Sequence, residues 1–165
     1  NCMGAGVEMA SCCDLRVASA TARFGAPIAR LGFPMAPKEA ALVAQAAGAT
    51  VARAMLLAAE VFDAPAMLAH GFLTQVLDDA QLSAHSQALA QRMAGLAPQA
   101  ARLNKQTLRA ILASNRPQNP VNTAQAAPDL IANSALVSDA AYAYADSAEH
   151  REGISAFLAK RKPQF

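Results

Sequence analysis

The chain has 165 residues, 54% hydrophobic and 16% charged, with a formal net charge of +2. That is enough for one domain with a real core, and the composition is that of a folded chain. The small charge, with no basic face interleaved with aromatics, gives no sign of nucleic-acid binding, and no apolar run reaches membrane-spanning length.

Cys2, Cys12 and Cys13 make no disulfide framework and lack zinc-ligand spacing, so a reducing compartment and no metal are expected. Asn1 rather than Met opens the chain and no basic leader or cleavage site follows, so the chain is expected to begin mid-protein.

The first ten residues, Asn-Cys-Met-Gly-Ala-Gly-Val-Glu-Met-Ala, read as a glycine turn running into an apolar helix. A dinucleotide loop needs a small third residue where Met9 stands, and a Walker A loop needs Gly-Lys-Ser/Thr, which is absent. Two readings stay open. Unpaired N–H groups at the helix start, aided by the helix dipole, suit an oxyanion, with Glu8 beside it as general acid or base. Alternatively this is an ordinary helix start whose Glu8 complements the dipole.

Downstream, Cys13–Pro27 reads as two short strands, Leu15–Ala18 and Ala22–Phe24, closed by Gly25 and Pro27. Cys12 and Cys13 are expected to be buried small apolar residues, with Asp14 fixing the turn between helix and strand. Ser11 has no nucleophile elbow around it. Pro34 and Pro37 bracket a loop, and a helix with proline in its first turn then runs to Gly48. A second helix is expected over Val51–Glu60. Asp63 is an N-cap for Ala64–Ala69, Gly71 is the C′ residue after His70, and 72–77 alternates as a strand.

From Asp78 onward the pattern is helical. Leu82, His85, Leu89, Met93 and Leu96 make one apolar face on which His85 is packed, and Leu103, Leu108, Ile111 and Leu112 make another, with Arg102, Lys105 and Arg109 outward. Residues 114–120 read as a linker, Leu130–Tyr144 as helical and Ala148–Lys160 as the last helix. His150 has no catalytic constellation. The result is an α/β part over 1–77 and a helical part over 78–165.

Three separated stretches carry a resemblance. Residues 4–32, "GAGVEMASCCDLRVASATARFGAPIARLG", residues 61–77, "VFDAPAMLAHGFLTQVL", and residues 150–165, "HREGISAFLAKRKPQF", stand in the order and spacing of the crotonase family signature. The chain is similar to the enoyl-CoA hydratases and isomerases essentially end to end. The resemblance implies a ββα spiral core over 1–77, with the active-site turn, and a C-terminal all-helical oligomerisation region over 78–165. It implies an acyl-CoA thioester as substrate, no other cofactor, a homotrimer or dimer of trimers, and a cytoplasmic location.

Residue by residue, the resemblance puts the oxyanion-hole N–H on Ala5, flanked by Gly4 and Gly6, and the first catalytic glutamate on Glu8. Pro27 and Ile28 face the substrate. Phe157 and Lys160 match the aromatic and lysine that approach the CoA nucleotide. Ammonium groups suit phosphates, while a solvated helix end is the other reading of Lys160–Lys162.

The departures matter as much. The family's second glutamate falls on Ile28, which neither transfers a proton nor holds a water. Hydration divides its work between two carboxylates, so the resemblance, so altered, implies weak hydratase activity, isomerisation through Glu8 alone, or an acyl-CoA binder without catalysis. "FPMAPKEAALV" (33–43) replaces a glycine turn beside the acyl pocket, leaving Glu39 as either a stand-in acid or a surface residue. The second oxyanion N–H and much of the CoA surface belong to a part of the family chain upstream of this one. A purely assembly role is a third reading.

Overall fold

The computed structural model describes residues 1–114 and 143–165. Most of the expected linker and of the helix around Leu130–Tyr144 lies outside the described residues. The chain forms two compact units, Asn1–Leu89 and Ala90–Phe165.

In the first unit, strand β1 (Cys2–Met3) leads through Gly4 into helix α1 (Ala5–Ser11), followed by β2 (Val17–Ser19) and β3 (Arg23–Gly25). A 3-10 turn over Ile28–Leu31 precedes helices α2 (Pro37–Ala47) and α3 (Ala49–Leu57). Then come β4 (Val61–Asp63), α4 (Ala64–Ala69), β5 (Gln75–Leu77) and α5 (Asp79–Ala94), which crosses the boundary between units. The strands make two small sheets. One has the order β1-β3-β4, with β1 parallel and β4 antiparallel to β3; the other pairs β2 parallel to β5. Parallel pairing requires crossovers, and α1 lies in the crossover between β1 and β3.

Local chemistry explains most of the boundaries. Pro37 stands at the start of α2, where its missing N–H costs nothing, and Gly48, at φ 86°, separates α2 from α3. Asp63 caps α4, its carboxylate accepting the Ala66 N–H at 2.8 Å. The core gathers Val7, Phe24, Val43, Val51, Met55, Met67 and Phe72 from α1, β3, α2, α3, α4 and the turn before β5. Burying each such side chain is worth about 1.5–3 kcal/mol. Phe24 and Phe72 pack edge to face at 5.9 Å.

Several expectations are corrected. The strands begin two residues and one residue later than expected, and residues 72–74 precede β5 rather than joining it. Residues Val61–Asp63 form a strand the sequence did not announce, and α3 stops at Leu57. Cys12 and Cys13 are exposed, not buried. In a helix of seven residues the buried stripe is Val7 and Ser11, one turn apart, and the two cysteines fall beyond it. Ser11 is accommodated because its hydroxyl donates to the Val7 carbonyl at 2.7 Å. On α5, Leu82, His85 and Leu89 are half-buried and no residue is fully buried.

In the second unit, the described helices are α6 (Pro98–Ser114) and α7 (Ala148–Leu158), with a 3-10 turn at Ala143–Asp146. Glu149 occupies the start of α6. It accepts the Gln99 N–H at 3.1 Å and the Ala100 N–H at 3.3 Å, and the Tyr144 hydroxyl donates to it as well. The Tyr144 hydrogen bond is the main cause that holds this carboxyl below its ordinary pKa. Ser147 caps α7 through the His150 N–H at 3.1 Å. Among the described residues, no helix is long and apolar enough to cross a membrane, and no three His, Cys, Asp or Glu side chains gather as a metal site.

Candidate functional site

The backbone at Gly4 decides the shape of the turn. Its φ of 54° with ψ of −120° is a conformation that L side chains rarely adopt. Ala5, the next residue, begins the helix and is not among the positive-φ residues, so glycine is required at Gly4 and dispensable at Ala5. The N–H groups of Ala5 and Gly6 stand in the first turn, where no intrahelical carbonyl lies ahead of them. A Cβ on Gly6 would stand 3.6 Å from the Cys2 sulfur, an ordinary contact. Burial raises the pKa of that Cys2 thiol.

Two further ties fix the turn. The Gly4 N–H donates to the Gly25 carbonyl at 2.8 Å, and both the Val7 and Glu8 N–H groups return to the Gly4 carbonyl, at 2.9 and 3.3 Å. Because β1 and β3 are parallel neighbours, with Met3 opposite Gly25, the turn at Gly4–Glu8 and the segment Ala26–Ile28 leave the same end of the sheet. That is where parallel strands present functional loops. Glu8 is half-buried, and its carboxylate has no hydrogen bond or ion pair among the described residues.

On the segment after β3, Ala26 is fully buried and Pro27 opens the 3-10 turn, while Ile28 is half-buried, its N–H donating to the Ala26 carbonyl at 2.8 Å. Glu8, in the first turn of α1, and Ile28, at the start of the 3-10 turn, therefore belong to segments that leave the same end of the small sheet, one a carboxylate and the other apolar. Glu39 is half-buried in the first turn of α2, a helix packed against α1.

A family profile for enoyl-CoA hydratase/isomerase matches residues 1–165. The chain belongs to the enoyl-CoA hydratase/isomerase family. It is 32% identical over 159 residues to the human mitochondrial enoyl-CoA hydratase domain-containing protein 3, covering 96% of this chain and 48% of that protein. It is 30% identical over 168 residues to the 2,3-dehydroadipyl-CoA hydratase of Escherichia coli K12, covering 99% and 58%. A solved enoyl-CoA hydratase/carnithine racemase from Magnetospirillum magneticum superposes with a TM-score of 0.79 at 31% identity, over 99% of this chain and 55% of that one. The chain thus spans about half the length of the relatives it matches.

The C-terminal positions of this family member lie in the second unit. Phe157 is 82% exposed and lines a groove of about 300 Å³ with Ala97, Tyr144, Glu149, Gly153 and Phe165 among others. Lys160 follows α7 at φ 51°, exposed, its ammonium without a partner among the described residues. Arg161 is committed elsewhere, meeting both carboxylate oxygens of Glu152 at 2.6 and 2.8 Å, so the basic run is not uniform.

Sequence reasoning passed over Arg16. Its guanidinium donates to the carbonyls of Phe72 and Cys13 and lies over the Phe72 ring, 4.6 Å from the centroid. Partial burial lowers its pKa, with Cys13 and Asp14 opposing. The signal available was an arginine set inside the apolar stretch Leu15–Ala18.

Proposed function

We propose that the protein acts on acyl-CoA thioesters, stabilising a thioester enolate with backbone N–H groups that include Ala5, while Glu8 moves the proton. Family membership gives the chemistry class. The observation that carries the finer reading is the Gly4 turn. It starts α1 with its first N–H groups unpaired within the helix and puts Glu8 in the first turn of that helix, at the end of the sheet from which Pro27–Ile28 also leaves. N–H donors already aimed at a developing oxyanion stabilise it without reorganising, which is where most of the rate gain in such reactions arises. Glu8 takes the C2 proton, the C–H electron pair moves onto the thioester oxygen, and return of a proton to C2 or C4 completes exchange or double-bond migration. Gly4, Gly6, Pro27 and Ile28 border the acyl thioester in this reading, and Phe157 and Lys160 serve the CoA nucleotide.

Ile28 favours a second reading, an acyl-CoA binder with altered or lost chemistry. Adding water across a 2-enoyl thioester calls for a second group to hold and activate that water, and an isoleucine side chain supplies none. The two readings separate in one comparison. The full-length protein is assayed for hydration of crotonyl-CoA, isomerisation of a 3-enoyl-CoA and CoA-ester affinity, with and without Glu8→Gln. The enzyme reading expects isomerisation to fall by about a hundredfold or more in Glu8→Gln, the scale of a lost general base, at unchanged affinity. No turnover of either substrate with affinity retained selects the binder.

The same proposal includes no cofactor beyond the CoA thioester, a homotrimer or dimer of trimers, and a cytoplasmic location. Light scattering of the purified protein and cell fractionation check the last two.

A further inference from the structure

A charged side chain drawn in against the core of the first unit carries an inference about the site. Arg16 grips two carbonyls that are far apart in sequence, Cys13 just past α1 and Phe72 before β5. Its own carbonyl accepts the Thr74 N–H and the Thr74 hydroxyl, both at 2.7 Å, so side chain and main chain dock on one short stretch, Phe72–Thr74. Phe72 is a fixed reference point, fully buried and edge-on to Phe24. Phe24 stands opposite Cys2 in the register of β1 with β3, and β1 runs through Gly4 into α1. The contacts close a ring: Gly4 ties the start of α1 to β3, β3 packs on Phe72, and Arg16 ties Phe72 back to the end of α1.

A helix of seven residues has fewer than two turns and little stability of its own. Its pose is set by what holds its ends, by Val7, which is fully buried beneath it, and by α2, which packs against it.

We propose that Arg16 is a positioning residue for the site: by holding the Cys13 carbonyl to Phe72 it fixes the C-terminal end of α1 and with it the pose of Glu8. This rests on the reading of Glu8 as the proton-transfer group. A lysine retains the charge but not the planar fork that reaches two carbonyls while stacking on a ring, so Arg16→Lys isolates geometry from charge.

The test uses the full-length protein and the exchange of the C2 protons of butyryl-CoA in D2O, followed by NMR and normalised to the folded fraction from far-UV circular dichroism. A displacement of the order of an ångström costs about a hundredfold in rate. Arg16→Lys and Arg16→Gln are therefore expected to lower kcat by about tenfold or more with KM within about twofold. Thr74→Val, which removes a neighbouring hydrogen bond at the same junction and leaves the guanidinium grip, is expected to keep kcat even where it lowers the melting temperature.

Arg16 variants that lose melting temperature but retain kcat per folded molecule, or that do not fold, overturn the assignment and leave Arg16 a fold residue only. Loss of exchange in Glu8→Gln with full exchange in Arg16→Lys overturns the positioning role and leaves the reading of Glu8 standing. Exchange that survives Glu8→Gln, or is absent from the unaltered protein, overturns that reading and the role of Arg16 with it.

Discussion

The Gly4 N–H donates to the Gly25 carbonyl at 2.8 Å, joining the turn that starts α1 to the end of the neighbouring parallel strand. Two loops separated by some twenty residues in sequence are thereby held at one end of the small sheet. The bond depends on the Gly4 backbone, whose φ of 54° and ψ of −120° no L side chain adopts without strain.

Gly4→Ala is accordingly expected to destabilise the protein by about 1–3 kcal/mol, the scale of a residue forced into such a region. The cause is conformational rather than steric, since a Cβ at Gly4 would meet nothing within 4 Å. Urea unfolding measures it, with Ala5→Gly as the comparison. Ala5 already adopts helical backbone, so adding glycine there costs only chain entropy. A Gly4→Ala protein as stable as the parent would show that the turn relaxes freely.

Ile28 offers a gain-of-function prediction. The residue is half-buried at the start of the 3-10 turn, on the segment that leaves the same end of the sheet as the Gly4 turn, so a carboxylate there would reach water without complete desolvation. Ile28→Glu is expected to raise hydration of crotonyl-CoA by at least about a hundredfold, the lower range of what one acid–base group contributes, with isomerisation of a 3-enoyl-CoA little changed. Turnover of crotonyl-CoA to the 3-hydroxy product, followed by the loss of thioester-conjugated absorbance, reads it directly. A folded Ile28→Glu protein with no added hydration would mean that the two loops do not share a substrate.

The Asp63 cap makes a third prediction. Its side chain accepts the Ala66 N–H at 2.8 Å and also stands 3.8 Å from Arg23, in an ion pair open to solvent on both sides. Exposed pairs of this kind contribute little, so the cap should dominate. Asp63→Ala is expected to cost about 1 kcal/mol, and Asp63→Asn, which caps without charge, is expected to recover most of it. Equal losses in both variants would assign the effect to the ion pair.

The features legible in the sequence are those whose cause is local. Pro37, Gly48, Asp63 and Gly71 mark helix ends by their own backbone and capping chemistry, and the structure places those ends accordingly. The strands were poorly legible because they are only two or three residues long and are fixed by partners far away. Val61–Asp63 is a strand because Phe62 stands opposite Phe24, which no local pattern encodes. Cys12 and Cys13 looked apolar enough to bury, yet the short α1 ends before it can cover them. At the candidate site, Glu8 and Ile28 were singled out by the resemblance alone, and the structure sets the segments that carry them at the same end of the small sheet. Arg16 escaped because its function is to bridge Cys13 and Phe72, a contact that exists only after folding.

The C-terminal tail gives a prediction in pH. Arg161 meets both Glu152 oxygens, at 2.6 and 2.8 Å, and the Gln164 N–H donates to the same carboxylate at 2.8 Å. These bonds, the Arg161 one foremost, lower the Glu152 pKa from 4.5 to about 2. For a depressed carboxyl, the stabilisation is fully present above the ordinary value of 4.5 and is lost as pH falls through the folded value, about 2. The tie between α7 and the tail is therefore expected to persist at about pH 3.5, where an ordinary glutamate is mostly protonated. An NMR titration of the Glu152 carboxyl carbon should show its midpoint near 2, and the protection of the Gln164 amide relative to its intrinsic exchange rate should fall only as pH drops toward that midpoint. In Glu152→Gln that pH dependence disappears and Gln164 exchanges faster at neutral pH. A Glu152 midpoint near the ordinary 4.5, with Gln164 exchange unchanged by the substitution, would show that the tail is held by something other than this carboxylate.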